Sequence, residues 1–150
     1  MAPVPDPDAG YAVNGLDIEQ FTCTPSGQVN LTQIWGVVPI ADVFVWPQVR
    51  TVYHIVNWQS GQCLDDRDGR TSDRSPVQQW TCNDTSTTML WFLGDSLNGA
   101  RQLLNFRAYQ NRGSQCLDVA GGSLDGAVLQ LYHCTFQNTA QHFFVPDVTG

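Results

Sequence analysis

Gly61-Gln62-Cys63-Leu64-Asp65, then Val77-Gln78-Gln79-Trp80-Thr81-Cys82, then Met89-Leu90-Trp91-Phe92: this ordered set returns about 52 residues later in the same chain. The second copy reads Gly113-Ser114-Gln115-Cys116-Leu117-Asp118, Leu129-Gln130-Leu131-Tyr132-His133-Cys134 and Gln141-His142-Phe143-Phe144. The offset is 53 from Cys63 to Cys116, and 52 for Cys82 to Cys134, Trp80 to Tyr132 and Trp91 to Phe143. Spacing matched from Val52 to Trp91 means one supersecondary unit used more than once. A partial third copy lies upstream. Asp17-Ile18-Glu19-Gln20-Phe21-Thr22-Cys23 matches Pro76 to Cys82, and Gln33-Ile34-Trp35 matches Met89-Leu90-Trp91. No Cys-Leu-Asp precedes Asp17, so the first repeat reads as incomplete.

Within each copy the apolar runs are short and rich in Val, Ile, Tyr, Phe and Trp, as in Val43–Trp46, Val52–Trp58, Val77–Cys82 and Leu129–Cys134. Turn formers separate them at Ser60-Gly61, Asp68-Gly69, Asn98-Gly99, Gly121-Gly122 and Asp125-Gly126. That pattern predicts an all-β protein with little helix, because no long apolar stripe of helical period competes with it. A period near 50 with about four strands per unit suits a propeller blade or a trefoil lobe. Propellers close with about four to eight blades, and this chain holds fewer than three units, so a β-trefoil with pseudo-threefold repeats is expected. The predicted organisation is a flexible tail over 1–13 and a trefoil over 14–150, with repeats at about 14–50, 51–100 and 101–147.

Composition narrows the partners. The 150 residues carry 14 acids against 7 cations, all arginine, for a net charge of −7. Nucleic acid and anionic membranes need clustered cations, so neither is expected as a partner. The absence of lysine fits either nucleotide composition or the avoidance of ubiquitination by a toxin component. No apolar run reaches the length of a membrane span, and Met1–Gly10 has no signal core, so export implies that the chain as given is a mature or recombinant form. Cys63 and Cys82 stand 19 residues apart and Cys116 and Cys134 stand 18 apart, at equivalent places in equivalent repeats. This regularity points to two intra-repeat disulfides and a secreted protein. Zinc is the alternative use of cysteine, but no Cys-x-x-Cys pair or histidine cluster supports it, and no metal or other cofactor is expected. Cys23 stands where Cys82 and Cys134 stand, without a partner in its own repeat; it is either a buried leftover thiol or half of an intermolecular disulfide.

Cys-Leu-Asp, then Gln-x-aromatic-x-Cys, then Gln-x-Trp resembles the ricin-type β-trefoil lectins, and Cys63-Leu64-Asp65-Asp66-Arg67-Asp68-Gly69-Arg70 is similar to a sugar-binding lobe of plant toxin lectin chains. The resemblance spans residues 14 to 147, most closely 52–145. It implies a carbohydrate-binding protein whose partners are glycans or glycoproteins, with a preference for galactose-like sugars. It extends to the ricin-like subunits of cytolethal distending toxins, which implies as the alternative a non-catalytic delivery or scaffold subunit, docking a partner chain through the incomplete first repeat.

A sugar presents hydroxyls that donate and accept, and an apolar C–H face. A pocket for it needs a carboxylate, an amide and an aromatic ring. The second repeat offers Asp65, Gln78 and Trp80; the third offers Asp118, Gln130, Tyr132 and Gln141. By resemblance the usual Asn-Gln pair before the last strand is Thr88-Met89 in the second repeat and Ala140-Gln141 in the third. Asp65 and Asp118 either grip hydroxyls or hold their own loops. Trp80 and Tyr132 either stack on sugar or pack as strand residues. Arg67, Arg70 and Arg74 are expected as solvated charges beside Asp66, Asp68 and Asp73. The first repeat has no aspartate in the Cys-Leu-Asp place, with Glu19 and Phe21 in the amide and aromatic places. Catalytic residues are not expected: no Gly-x-Ser-x-Gly or His-Glu-x-x-His occurs, and Glu19 is the sole glutamate.

Overall fold

The computed structural model describes residues 1–11, 13–20, 28, 30–121 and 126–145. Among them ten strands form, in chain order β1 (Ala2–Pro3), β2 (Ile18–Glu19), β3 (Trp35–Val45), β4 (Gln48–Asn57), β5 (Cys63–Asp66), β6 (Ser75–Trp80), β7 (Trp91–Leu97), β8 (Ala100–Asn105), β9 (Gln115–Val119) and β10 (Leu129–His133). A single short helix, α1 (Phe106–Gln110), follows β8 and is capped by the Asn105 side chain, which accepts from the Ala108 amide. Strands β3 to β10 make one sheet in the order β3-β4-β5-β6-β10-β9-β8-β7, and an added β4–β7 pairing, Tyr53 opposite Trp91, turns it back on itself.

The repeats reappear as three lobes with equivalent strand pairing. In each, a short strand pairs antiparallel with the next: Asp65 faces Gln78, Asp118 faces Gln130, and Ala2 faces Glu19. The residues just before the second members, Ile18, Val77 and Leu129, are all fully buried in one core. Leu64 and Leu117, just before the aspartates, join them there, and Met1 packs at the corresponding place before Ala2. Trp35, Trp91 and Phe143 complete each set. The Trp91 indole donates to the Leu64 carbonyl at 3.0 Å, and Trp35 donates to the Met1 carbonyl at 2.9 Å. These aromatic positions pack in or against the shared core. The arrangement is an all-β trefoil.

This symmetry revises the N-terminal reading. The sequence leaves the first repeat without an opening strand and assigns residues 1–13 to a tail. Ala2–Pro3 instead lies where Asp65-Asp66 lies in the second lobe, and the Val4 amide extends the ladder to the Asp17 carbonyl at 2.8 Å. Backbone pairing does not need a Cys-Leu-Asp sequence; Met1 supplies the core contact, and Pro3, which has no N–H, leaves the ladder donor to the Val4 amide. The edge that an incomplete lobe exposes is therefore occupied, by a strand carrying neither the cysteine nor the aspartate.

Local chemistry fixes the hairpins. Asn98 and Gly99 both take positive φ, 52° and 85°, the type I′ geometry that matches the twist of β7 and β8. The β3–β4 hairpin is longer and ends at Trp46-Pro47, with Trp46 81 % exposed and Phe44 and Val49 exposed beside it. Disulfides join Cys63 to Cys82 and Cys116 to Cys134, as the spacing predicts. Each closes its lobe's loop, worth about 3 kcal/mol by loop-closure entropy. Cys23 lies outside the described residues, as do Phe21 and the Gly122 and Asp125 turn positions.

Candidate functional site

Strand pairing puts the candidate residues of each lobe on one face. Because side chains alternate along a strand, the residues facing each other across a pair share a side. Asp65 and Gln78 therefore meet above β5 and β6, and Asp118 and Gln130 meet above β9 and β10. The Gln78 amide donates to one Asp65 oxygen at 2.8 Å, and the Thr88 hydroxyl donates to the other at 2.6 Å. In the third lobe the Gln130 amide donates to one Asp118 oxygen and the Gln141 amide to the other, each at 3.1 Å. Both carboxylates are buried and doubly held. Every carboxylate oxygen has a second acceptor direction left over, which is what a vicinal pair of sugar hydroxyls requires. Burial pushes the Asp65 carboxyl up, while the Thr88 and Gln78 bonds pull it back down.

The amides are engaged with the carboxylates. Gln78 and Gln130 hold the carboxylates that face them. Gln141 is fully buried, also donating to the His133 carbonyl at 2.9 Å and accepting from the Thr135 amide at 2.8 Å. Its donors and acceptor are spent on protein, so it orients Asp118. Thr88, read from sequence as the loss of an amide, performs the equivalent service for Asp65 through a hydroxyl. The 3-10 turns Thr87–Met89 and Thr139–Gln141 set both contacts, since they bring the segment before the last strand of each lobe over the aspartate.

An aromatic ring flanks each carboxylate. Trp80 is 43 % exposed and lines a groove of about 530 Å³ with Asp65, Asp68, Gln78, Thr88 and Arg107. A second cleft of about 650 Å³ is lined by Trp80, Cys82, Asn83 and Met89. Tyr132 lines a groove of about 410 Å³ with Asp118, Gln130, Arg74, Asn138 and Ala140. The Tyr132 ring leans on His133, with centroids 4.5 Å apart. Ala140 has no polar group where Thr88 has one, so the third-lobe groove offers fewer side-chain donors. The first lobe has Ala2 in the aspartate place and Glu19 opposite it, which leaves no held carboxylate.

Arg70 and Arg74 are exposed, as expected of solvated charges, but Arg67 departs from expectation. Arg67 turns inward to Gln78 Oε1 at 2.9 Å and to the Gly15 carbonyl and the Asp17 carboxylate, pinning the first lobe to the second. Asp73 pairs with His133 rather than an arginine, accepting from its backbone amide at 2.7 Å and meeting its ring nitrogen at 2.9 Å. That contact holds the Asp73 carboxyl below its ordinary value. Asp66, expected as a loop charge, is fully buried. Its place three residues after a half-cystine in a strand, where the third lobe has Val119, is the sequence signal for burial. Among the described residues, the one tight group of potential metal ligands is His54, Cys63 and Cys82, and its two sulfurs are joined in a disulfide.

Comparison with known proteins agrees with the trefoil fold. The profile of the family described as ricin-type beta-trefoil lectin domain-like matches residues 31–132. Among solved structures, a designed threefold-symmetric protein, ThreeFoil, superposes with a TM-score of 0.72 at 24 % identity, covering 91 % of this chain and 85 % of that one. An exo-β-1,3-galactanase from Clostridium thermocellum superposes with a TM-score of 0.68 at 25 % identity, covering 89 % of this chain but 25 % of the enzyme. The hemolytic lectin CEL-III gives 0.58 at 22 % identity, with 93 % of this chain and 27 % of the lectin covered. The chain thus spans about a quarter of the length of those two larger proteins. No curated protein sequence matches it.

Proposed function

Since the chain belongs to the ricin-type β-trefoil lectin-like family, we propose that it is a non-catalytic carbohydrate-binding module, using the grooves of its second and third lobes. The observation that carries this reading is the duplicated constellation. Two buried aspartates, each held by two donors, sit beside partly exposed aromatic rings at the same place in two lobes. A carboxylate held by two side chains costs little to desolvate further and keeps its geometry fixed, so its remaining acceptor directions are pre-set for hydroxyls. Trp80 and Tyr132 offer the flat apolar face that the C–H side of a hexose stacks on. In this reading Asp118 and Asp65 contact sugar, Trp80 and Tyr132 stack, and Gln78, Gln130 and Gln141 position the carboxylates. A galactose-like ligand is the preference that the family resemblance suggests. Single-site affinity is expected to be weak, with avidity arising from engagement of two lobes on one glycan. The two disulfides suit an oxidising, extracellular setting.

On a glycan array the intact chain is expected to give a defined set of positive glycans. The Asp65→Ala, Asp118→Ala double variant loses them while keeping the far-UV spectrum of the parent. Binding retained by the double variant overturns the assignment of these grooves. The alternative, a delivery subunit docking a partner chain, drew on an open first lobe; with Ala2–Pro3 in that edge, its remaining support is the apolar tip at Phe44, Trp46 and Val49.

A further inference from the structure

Strands β4 and β8 occupy equivalent places. β4 lies between β3 and β7, with Trp35 opposite Asn57 and Tyr53 opposite Trp91. β8 lies between β7 and the segment at Phe143, with Trp91 opposite Asn105 and Arg101 opposite Phe143. Each ends on a buried asparagine whose side-chain amide donates to a carbonyl three residues before the aromatic, Asn57 to Thr32 at 2.8 Å and Asn105 to Thr88 at 2.9 Å. The next backbone amide follows suit, Trp58 donating to the Ile34 carbonyl at 2.9 Å and Phe106 to the Leu90 carbonyl at 2.8 Å. Pseudo-threefold symmetry calls for a third such strand, between the Phe143 segment and β3. Among the described residues nothing pairs there: β3 pairs with β4 alone, and Phe143 with Arg101 alone. Ala2–Pro3 takes the place of β5 in the first lobe, beside β2, and does not reach this edge.

Both flanks of that place are open. The Ile34 carbonyl points to the β4 side, where Trp58 meets it. Backbone groups alternate along an antiparallel strand, so the amides and carbonyls of Trp35 and Val37 point the other way, into the third place. Burial tells the same story. In β7, which has a neighbour on each side, Trp91 is 0 % and Leu93 8 % exposed. Trp35, Val37, Phe143 and Val145 pack against the same core but stay only partly buried. Pro39, which has no N–H, and the bulge beside it end the open edge after Val38. The result is a slot one strand wide, apolar on its floor and edged by backbone donors and acceptors, which is what strand addition needs.

We infer that this slot is a docking site for an extended segment of a partner polypeptide, which fills the third strand place. β4 and β8 specify the chemistry of that segment. Ile55 and Leu103, two residues before the asparagines, are core residues, so an aliphatic side chain belongs there. The asparagine after it donates to the Ala140 carbonyl, the third-lobe counterpart of Thr32 and Thr88. Trp35–Ile40 and Phe143–Val145 hold no charged side chain, which suits an uncharged segment and excludes a charge at its core-facing positions. The two segments of this pattern within the chain, β4 and β8, are already built into their own lobes, so a second copy has none to lend. The inference stands independently of the sugar-binding reading.

The probe is a synthetic acetylated peptide with the sequence Thr51–Trp58, added to the full chain and followed by isothermal titration and by residue-resolved hydrogen exchange. Saturable binding is expected, with a dissociation constant below about 1 mM. The peptide should slow exchange at the Trp35 and Val37 amides by about tenfold or more. The Phe143 amide, already bonded to Arg101 at 2.8 Å, should keep its rate and serves as the internal control. Two altered peptides separate strand addition from adhesion to an apolar surface. One carries Ile55→Asp, which puts a charge on the slot floor; the other is N-methylated at the Tyr53 position and cannot donate to the Trp35 carbonyl. Each is expected to bind at least about tenfold more weakly. No binding, equal binding of the altered peptides, or unchanged exchange at Trp35 and Val37 overturns the inference. So does protection of those two amides before peptide is added: in a monomer by sedimentation the chain closes the slot itself, and in a dimer a second copy covers it.

Discussion

Trp91→Ala is expected to lower the stability of this protein by about 4 kcal/mol, the middle of the range for removing a large buried aromatic. Trp91 is fully buried in the shared core, between Tyr53 on one neighbouring strand and Asn105 on the other. Two losses combine. The ring leaves a cavity where the three lobes meet, and the Leu64 carbonyl loses its 3.0 Å donor in a place water does not reach. For a domain of this length that corresponds to roughly 12 °C in melting temperature. Trp91→Phe is the informative partner variant, because Phe143 fills the same place in the third lobe. It keeps most of the volume and loses the N–H, so a cost of about 1–2 kcal/mol is expected. Urea unfolding followed by far-UV circular dichroism measures both. A change below 1 kcal/mol for Trp91→Ala removes Trp91 from the core.

Asp66→Asn is expected to act in the opposite direction and to depend on pH. The folded Asp66 carboxyl is pushed up to about 8 by burial and by Asp65 and Asp68, against Arg107 and Arg70, from an ordinary value of 3.8. The native state therefore holds this proton over a range in which the unfolded chain has released it. Between about pH 4 and 8 the native state binds more protons than the unfolded state, so stability falls as pH rises and levels off above 8. The full shift corresponds to a ceiling of about 6 kcal/mol at pH 8 and above, at 1.36 kcal/mol per pH unit. Asparagine abolishes the titration but leaves an unpaired buried amide, which takes back about 1–3 kcal/mol. A net gain of about 3 kcal/mol at pH 8 follows, shrinking to nothing or reversing at pH 4. Unfolding free energies of both proteins from pH 4 to 9 check this. Parallel curves, with no convergence toward acid, contradict the buried, unpartnered carboxylate.

Much of the fold was legible because repetition amplifies a weak signal. One Gln-x-Trp motif says little, but Cys63-Leu64-Asp65 and Cys116-Leu117-Asp118 at matched offsets fix strand, disulfide and core positions together. The first lobe's opening strand was not legible, because Ala2–Pro3 pairs through its backbone and carries none of the motif's side chains. In the site, the aspartates, the facing glutamines and the aromatic rings were readable from register. The inward turn of Arg67 was not, since its partners Gly15 and Asp17 come from another lobe, fifty or so residues away by a path that local sequence does not encode. Thr88 illustrates the opposite error. Substituting a hydroxyl for an amide looked like a loss, yet at 2.6 Å from Asp65 it keeps the carboxylate held. Asp66 looked like one more loop charge because the acidic run around it is polar; only the strand register, which sets it opposite the buried Val77, exposes its position.

The central claim is that sugar docks against a held carboxylate and an aromatic ring in two lobes. A ¹H–¹⁵N correlation titration of the intact chain with methyl β-galactoside tests it directly. The expected result is saturable shifts at the Trp80 indole N–H, the side-chain amides of Gln78, Gln130 and Gln141, and the backbone amide of Ala140. Saturating sugar that leaves all of these unmoved, or that moves instead the Trp46 indole at the β3–β4 tip, contradicts the account.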